Sequence, residues 1–188
     1  MTLAIFDLDN TLIAGDSDYL WGEFLCQTGR VEQAEYALKN AQFFSDYEAG
    51  ALDMDAYLRF ALEPLKHHSM DTLTAWHREF MDSKIAPIML PKAAQLIQKH
   101  RQQGHELLII TATSRFVTAP IARALSISAL IACDAEQING RFTGNPIGVA
   151  SYGQGKVTRL EAWMAEHGQK IEGAYFYSDS RNDLPLLK

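Results

Sequence analysis

Leu3-Ala4-Ile5-Phe6-Asp7-Leu8-Asp9-Asn10-Thr11 opens the chain with a short apolar run, two acids separated by one leucine, and a small hydroxyl residue. A run this short and apolar reads as a buried strand at the centre of a parallel sheet. The acids fall where such a strand leaves the core, and open α/β sheets bind ligands outside the carboxyl ends of their strands. Asp7 and Asp9 are two apart, so a chain still extended there points both to one side. Adjacent carboxylates repel, and one tends to hold a proton. A divalent cation would relieve the repulsion, leaving one acid as a nucleophile and the other as a proton donor. Asp after a strand is also an ordinary turn or cap residue, so the reading depends on the later stretches of the chain.

The remaining sequence has the layout of an α/β protein. Gly15 breaks the run after Thr11, and Asp16 or Ser17 can cap a helix. From about Asp18 to Lys84 the pattern is helical: Tyr19, Leu20, Phe24 and Leu25 form one 3.6-residue stripe, and Tyr57, Leu58, Ala61, Leu62 and Leu65 another. This block reads as a helical insertion after the first strand. Pro91 to Gln103 reads as a helix closed by Gly104. Further strands are expected at His105–Thr111, Leu130–Cys133 and Ala174–Tyr177. Asn139-Gly140 signals a hairpin, Pro146–Gly155 reads as loop, and helices are expected near Phe116–Leu125 and Lys156–Glu166.

Composition narrows the function. The 188 residues suffice for one domain with a core, or a core plus an insertion; 47% are hydrophobic, and the net charge is −6. A binder of phosphate backbones is normally basic, which argues against nucleic acid. No stretch approaches a membrane span, and Asp7 and Asp9 interrupt the N-terminal run too early for a signal peptide. Cys26 and Cys133 lack metal-ligand spacing and read as buried thiols of a reducing compartment, so a cytoplasmic protein is expected. His67-His68 reads as a surface pair.

Four stretches share one property: polar residues end an apolar strand or begin a helix. They are Asp7/Asp9/Thr11, Thr111 with Ala112-Thr113, Lys156, and Asp179 with Asn182-Asp183. In this order and spacing they resemble the four motifs of the haloacid dehalogenase (HAD) superfamily of phosphatases, and the resemblance covers essentially the whole chain. It implies a Rossmann-like parallel-sheet core (residues 1–15 and 86–188), a helical C1 cap (16–85) of the phosphoserine phosphatase-like branch, and a small β-hairpin flap. It also implies at least one further strand beyond Lys188.

Carried over residue by residue, the resemblance makes Asp7 the nucleophile and Asp9 the general acid and then base, its carbonyl also binding metal. Thr111 and the amide of Ala112 would hold phosphate oxygens. Lys156 would offset charge, Asp179 would bind Mg²⁺, Asp183 would orient the metal site directly or through water, and Asn182 would contact phosphate or Lys156. These types suit phosphoryl transfer, which needs positioning and charge neutralisation, and Mg²⁺, which prefers carboxylates and retained water.

The expected substrate is a small phosphorylated metabolite. In the resembling branch an acid nine residues after the nucleophile recognises the substrate amine, and that position is Asp16; a helix N-cap is the competing role. A cap Arg recognises the substrate carboxylate there, but alignment puts Ala61 at that place, with Arg59 two residues away. An acid without a clear cation suggests an amino-alcohol phosphate such as histidinol phosphate, with phosphoserine as the alternative. Tyr19, Trp21 or Phe44 could stack an imidazole, or form cap core. Phosphotransfer or mutase action through the same intermediate is a further enzyme class, and a non-enzymatic binding protein a third. The oligomeric state is left open.

Overall fold

The computed structural model describes residues 1–187, and Lys188, the end of the expected core, lies outside them. A five-stranded sheet has the order β4-β3-β2-β1-β5. Its strands are β1 Leu3–Phe6, β2 Glu106–Ser114, β3 Ala129–Ile138, β4 Arg141–Ile147 and β5 Tyr175–Tyr177. All neighbours pair in parallel except β3 and β4. The α/β reading of the sequence is therefore the observed architecture.

Alternation along β1 explains why it is apolar throughout. Ala4 and Phe6 enter one hydrophobic cluster, and Leu3 and Ile5 the other, so both faces of the strand are covered. Helices α5 (Pro91–Gln102) and α6 (Arg115–Ala124) supply Ile97, Val117 and Ile121 to the first cluster; α7 (Gln154–His167) supplies Leu160 to the second. At the β3–β4 turn, Asn139 and Gly140 both take positive φ, 51° and 73°, the backbone that a two-residue hairpin demands.

Two strands run longer than their apolar cores. β2 continues past Thr111 to Ser114, with a register shift against β3 between Ile110 and Ser114. β3 continues past Cys133 because its outer half pairs with β4 rather than with the parallel sheet. Pro146 and Ile147, expected in a loop, finish β4.

Between β1 and α5 stand α1 (Ser17–Gln27), α2 (Gln33–Glu48), α3 (Met54–Leu62) and α4 (Met70–Phe80). Helices α1 and α4 are anchored to α6. Trp21 packs edge-on against Phe116 at 5.4 Å, and His77 Nε2 meets the Val117 carbonyl at 2.9 Å. Helix α3 lies along the hairpin, where Arg59 Nη1 donates to Asn145 Oδ1 at 3.0 Å. Helix α2 buries only Asn40 and packs mainly on α1 and α3. The two lengths of chain that join these helices to the sheet run together: Ala14 N donates to the Ile88 carbonyl at 2.8 Å, and Ile13 bridges Met89.

Candidate active site

The site forms where β1 and β5 end side by side. Phe6 pairs with Tyr177, and the Asp7 amide still donates to the Tyr177 carbonyl at 2.8 Å. Beyond it the chain curls, with the amides of Thr11, Leu12 and Ile13 all directed at the Leu8 carbonyl. The curl leaves Asp7 4% exposed, under the start of α7.

Lys156 arrives from the first turn of α7. Its Nζ lies 3.2 Å from Asp7 Oδ1 and 2.7 Å from Asp183 Oδ1. The contact with Asp183 is an ion pair off the hydrogen-bond direction. Gly155 makes this approach possible: a Cβ there would sit 2.0 Å from the Ala150 carbonyl oxygen, so any side chain would push α7 away.

Asp9 is held from two sides. Its Oδ1 accepts from the Ser17 amide at 2.6 Å, and its Oδ2 from Thr113 Oγ1 at 2.9 Å. Thr111 Oγ1 stands 3.5 Å from the same Oδ2 and accepts from the Thr113 amide at 3.2 Å. The polar extension of β2 thus serves to fix Asp9. Asp16 is the N-cap of α1, accepting from the amides of Asp18 and Tyr19 at 3.0 and 2.8 Å, and it also lines the cavity. Capping and facing the substrate are thus geometrically open to Asp16 at once.

The loop after β5 carries the last acids. Asp179 Oδ1 accepts from Thr11 Oγ1 at 3.3 Å, so it faces the curl after β1. Asp183, 1% exposed, accepts from Ser178 Oγ at 2.7 Å through its other oxygen. Lys156 and Ser178 therefore answer both Asp183 oxygens. Asn182 Oδ1 lies 4.0 Å from where a Cβ on Gly50 would stand, so it faces the end of α2. Tyr47 meets Ser180 Oγ at 3.3 Å, so α2 touches the loop across the mouth of the site.

Asp7, Asp9, Thr111, Ala112 and Lys156 line one cavity with Asp16, Asp18, Tyr19, Phe43, Phe44 and Tyr57. A water centre can occupy about 40 Å³ of it. That is room for a few waters.

Its electrostatics are one-sided. Burial pushes Asp7 up, Lys156 pulls it back, and Asp183 and Asp9 push it up again. Burial raises Asp9 to about 7, with Asp16 adding to the rise, and raises Asp16 to about 6. Burial alone would lower Lys156, but Asp7 and Asp183 outweigh it and the net shift is upward. A cluster of acids thus surrounds a single lysine, which is a setting for a bound positive charge. Among the described residues no three His, Cys, Asp or Glu side chains converge as a metal cage. Mg²⁺ does not require one: it is held by one or two carboxylates, with water and phosphate completing the shell. Asp7 and Asp179, leaving paired strands at one end of the sheet, fit that pattern.

Arg59 does not reach the cavity. Its exposed guanidinium pairs with Asp55 at 2.8 Å and with Asn145, as expected for a residue turned away from the Ala61 side of α3. Trp21 belongs to the aromatic core with Phe24, His77 and Phe80, whereas Tyr19 and Phe44 line the cavity. The sequence assigns no site role to Asp18, Tyr47 or Tyr57, and names Thr113 only as part of the stretch after Thr111. Asp18 carried a signal: with Gly22 and Leu25 it lies on the buried stripe of α1, where an acid is out of place.

Comparison with known proteins agrees with this geometry. The profile of the haloacid dehalogenase-like hydrolases matches residues 4–188. A Neisseria meningitidis protein named histidinol-phosphatase is 45% identical over 190 residues, which cover 99% of this chain and 86% of that protein. Phosphoserine phosphatase SerB1 of Mycobacterium tuberculosis is 30% identical over 187 residues, 98% of this chain but 61% of its own length. A crystal structure of a Bordetella pertussis protein of unknown function superposes with a TM-score of 0.92 at 43% identity, covering 100% of this chain and 86% of that one. With strand ends, acids and lysine arranged as described, the chain belongs to the haloacid dehalogenase-like hydrolase family.

Proposed function

We propose that this phosphatase hydrolyses the phosphomonoester of a small amino alcohol, histidinol phosphate foremost, through a phosphoryl group carried on Asp7. The observation that carries the reading is the buried Asp7–Lys156–Asp183 contact at the end of β1, beside a cavity whose lining is rich in acids and aromatic rings. The substrate is suggested by the Neisseria relative's name and by the acid excess, which favours a cationic alcohol over a neutral sugar.

The roles follow from position. An Asp7 oxygen attacks phosphorus; the P–O bond to Asp7 forms as the P–O bond to the alcohol breaks. Asp9, held by Ser17 and Thr113, supplies the proton to the departing alkoxide. It then takes a proton from the water that attacks phosphorus, and the bond to Asp7 breaks to release phosphate. Lys156 offsets the charge on Asp7 and the phosphoryl oxygens, Thr111 and the Ala112 amide hold those oxygens, and Asp183 positions Lys156. Asp7, Asp179 and the Asp9 carbonyl would hold Mg²⁺, which would supply further charge neutralisation when bound. Asp16 would accept the substrate amine with the oxygen that the helix amides do not use.

Residues 16–85 act as the cap over a core of residues 1–15 and 86–187. Since α1 and α4 are fastened to α6, α2 is the part that moves to admit substrate. The cytoplasm is the proposed compartment, supported by two buried free cysteines.

Purified protein should hydrolyse histidinol phosphate with Mg²⁺, lose activity with a chelator, and lose it in Asp7→Asn. Phosphoserine, the alternative substrate, and sugar phosphates serve as comparisons. Turnover of sugar phosphates with neither aminated ester hydrolysed would sink the amino-alcohol reading.

A further inference from the structure

Asp18 stands in the same cavity, and the mechanism does not use it. It is 6% exposed, and its Oδ2 has no hydrogen-bond partner among the described residues. Capping does not account for it, because Asp16 already accepts from the first amides of α1. An acid in a first helical turn also gains from the helix dipole, but an exposed carboxylate gains that without the cost of burial. Tyr57 lines the same cavity and lowers the Asp18 pKa against the burial that raises it to about 7. Asp18 thus lines the cavity with its Oδ2 unanswered among the described residues.

The surroundings suit a cation. Tyr19 and Phe44 stack at an angle with centroids 4.9 Å apart, and Phe43 meets Tyr57 edge-on at 5.4 Å. These four rings line the same space as Asp16 and Asp18, and aromatic faces attract positive charge. Lys156 stands among the acids at the phosphoryl end, paired with Asp7 and Asp183, so among the described residues no basic side chain of the lining answers Asp18.

We infer that Asp18, backed by Tyr57 and the four rings, accepts a second nitrogen group of the substrate, so that the cavity selects phosphomonoesters of alcohols bearing two basic nitrogens over those bearing one. The inference rests on the phosphatase reading above and deepens it. It makes Asp18 a specificity residue that acts at the end of the substrate remote from phosphorus.

The test compares wild type with Asp18→Asn and Tyr57→Phe. Three esters differ in the number of basic nitrogen groups: histidinol phosphate has two, phosphoethanolamine one, and p-nitrophenyl phosphate none. In Asp18→Asn the ratio of kcat/KM for histidinol phosphate over phosphoethanolamine falls about tenfold or more, the scale of a lost hydrogen bond to a charged group. The change lies in KM, and Tyr57→Phe lowers the ratio in the same direction by less. A fall of equal size on all three esters, or an unchanged ratio, overturns the inference. Calorimetric binding of L-histidinol, which lacks the phosphate, separates this from failure of the phosphatase reading: binding about tenfold weaker in Asp18→Asn supports the subsite even if no ester is turned over, and equal binding overturns it.

Discussion

Lys156 Nζ lies 3.2 Å from Asp7 Oδ1 although the two residues are 149 positions apart in the chain. Both side chains are almost wholly buried, and Asp183 closes the group from the other side. Lys156→Met would leave two buried carboxylates facing each other without a cation. Removing one partner of a buried pair costs about 3 kcal/mol or more. Urea unfolding should show a loss of that size, and kcat should fall by about 10² or more as charge stabilisation at the phosphoryl group disappears.

Gly155 sets where that lysine can stand. In Gly155→Ala the new methyl would meet the Ala150 carbonyl oxygen, which is backbone and cannot swing aside. The start of α7 must shift, and Lys156 with it. Overpacking of this kind costs about 1–3 kcal/mol, and kcat on p-nitrophenyl phosphate should fall well beyond what the stability loss explains. Retention of wild-type kcat would show that the loop absorbs the methyl without moving Lys156.

Tyr47 carries the contact between α2 and the loop after β5. Tyr47→Phe removes the hydroxyl that meets Ser180 and leaves the ring in place. That hydrogen bond, worth about 1 kcal/mol net, holds α2 against the loop. KM should therefore rise by about threefold or more, and amide exchange in α2 should quicken relative to α5.

His77 links α4 to α6 through its Nε2–H, which donates to the Val117 carbonyl, and stacks beside Trp21. Burial lowers its pKa below the usual 6.5. The unfolded chain therefore binds the proton first as pH falls. The contribution of neutral His77 to stability is present above about 6.5 and is lost as pH drops below it toward the folded value. His77→Gln keeps a donor and removes the titration. Between pH 7.5 and 5.5 the melting temperature of wild type should fall relative to that of the variant; parallel curves would exclude the effect.

Arg59 offers a contrast. It is exposed and bound to Asp55 one helical turn away. Arg59→Ala should change kcat/KM for histidinol phosphate less than about twofold and stability by less than about 1 kcal/mol, as exposed ion pairs usually do. A large rise in KM would mean that Arg59 reaches the substrate when α2 opens.

Much of the fold was legible along the chain because its signals are local. Apolar runs of strand length, Gly104 after α5 and the Asn139-Gly140 turn each act within a few residues. The four polar clusters were legible for the same reason: each ends a strand or begins a helix, and strand ends of a parallel sheet must meet at one edge. Strand length was less legible. β2 runs on through Thr113 and Ser114, and β3 on to Ile138, because pairing partners from elsewhere in the chain continue the ladder where the apolar pattern stops.

What the sequence determined by itself was the order of elements and the chemical kinds of residue at each strand end, since periodicity and turn chemistry are properties of neighbouring residues. Tertiary structure alone decided which distant groups share a charge and which side chains face the cavity. Lys156 became the partner of Asp7 and Asp183 because the start of α7 meets the ends of β1 and β5. Arg59 fell outside because of its angle on α3, and Asp18 became buried, its Oδ2 unanswered among the described residues, because α1 is packed between α2 and the sheet. Burial and through-space distance create these properties, and neither is written in the spacing of residues along a chain.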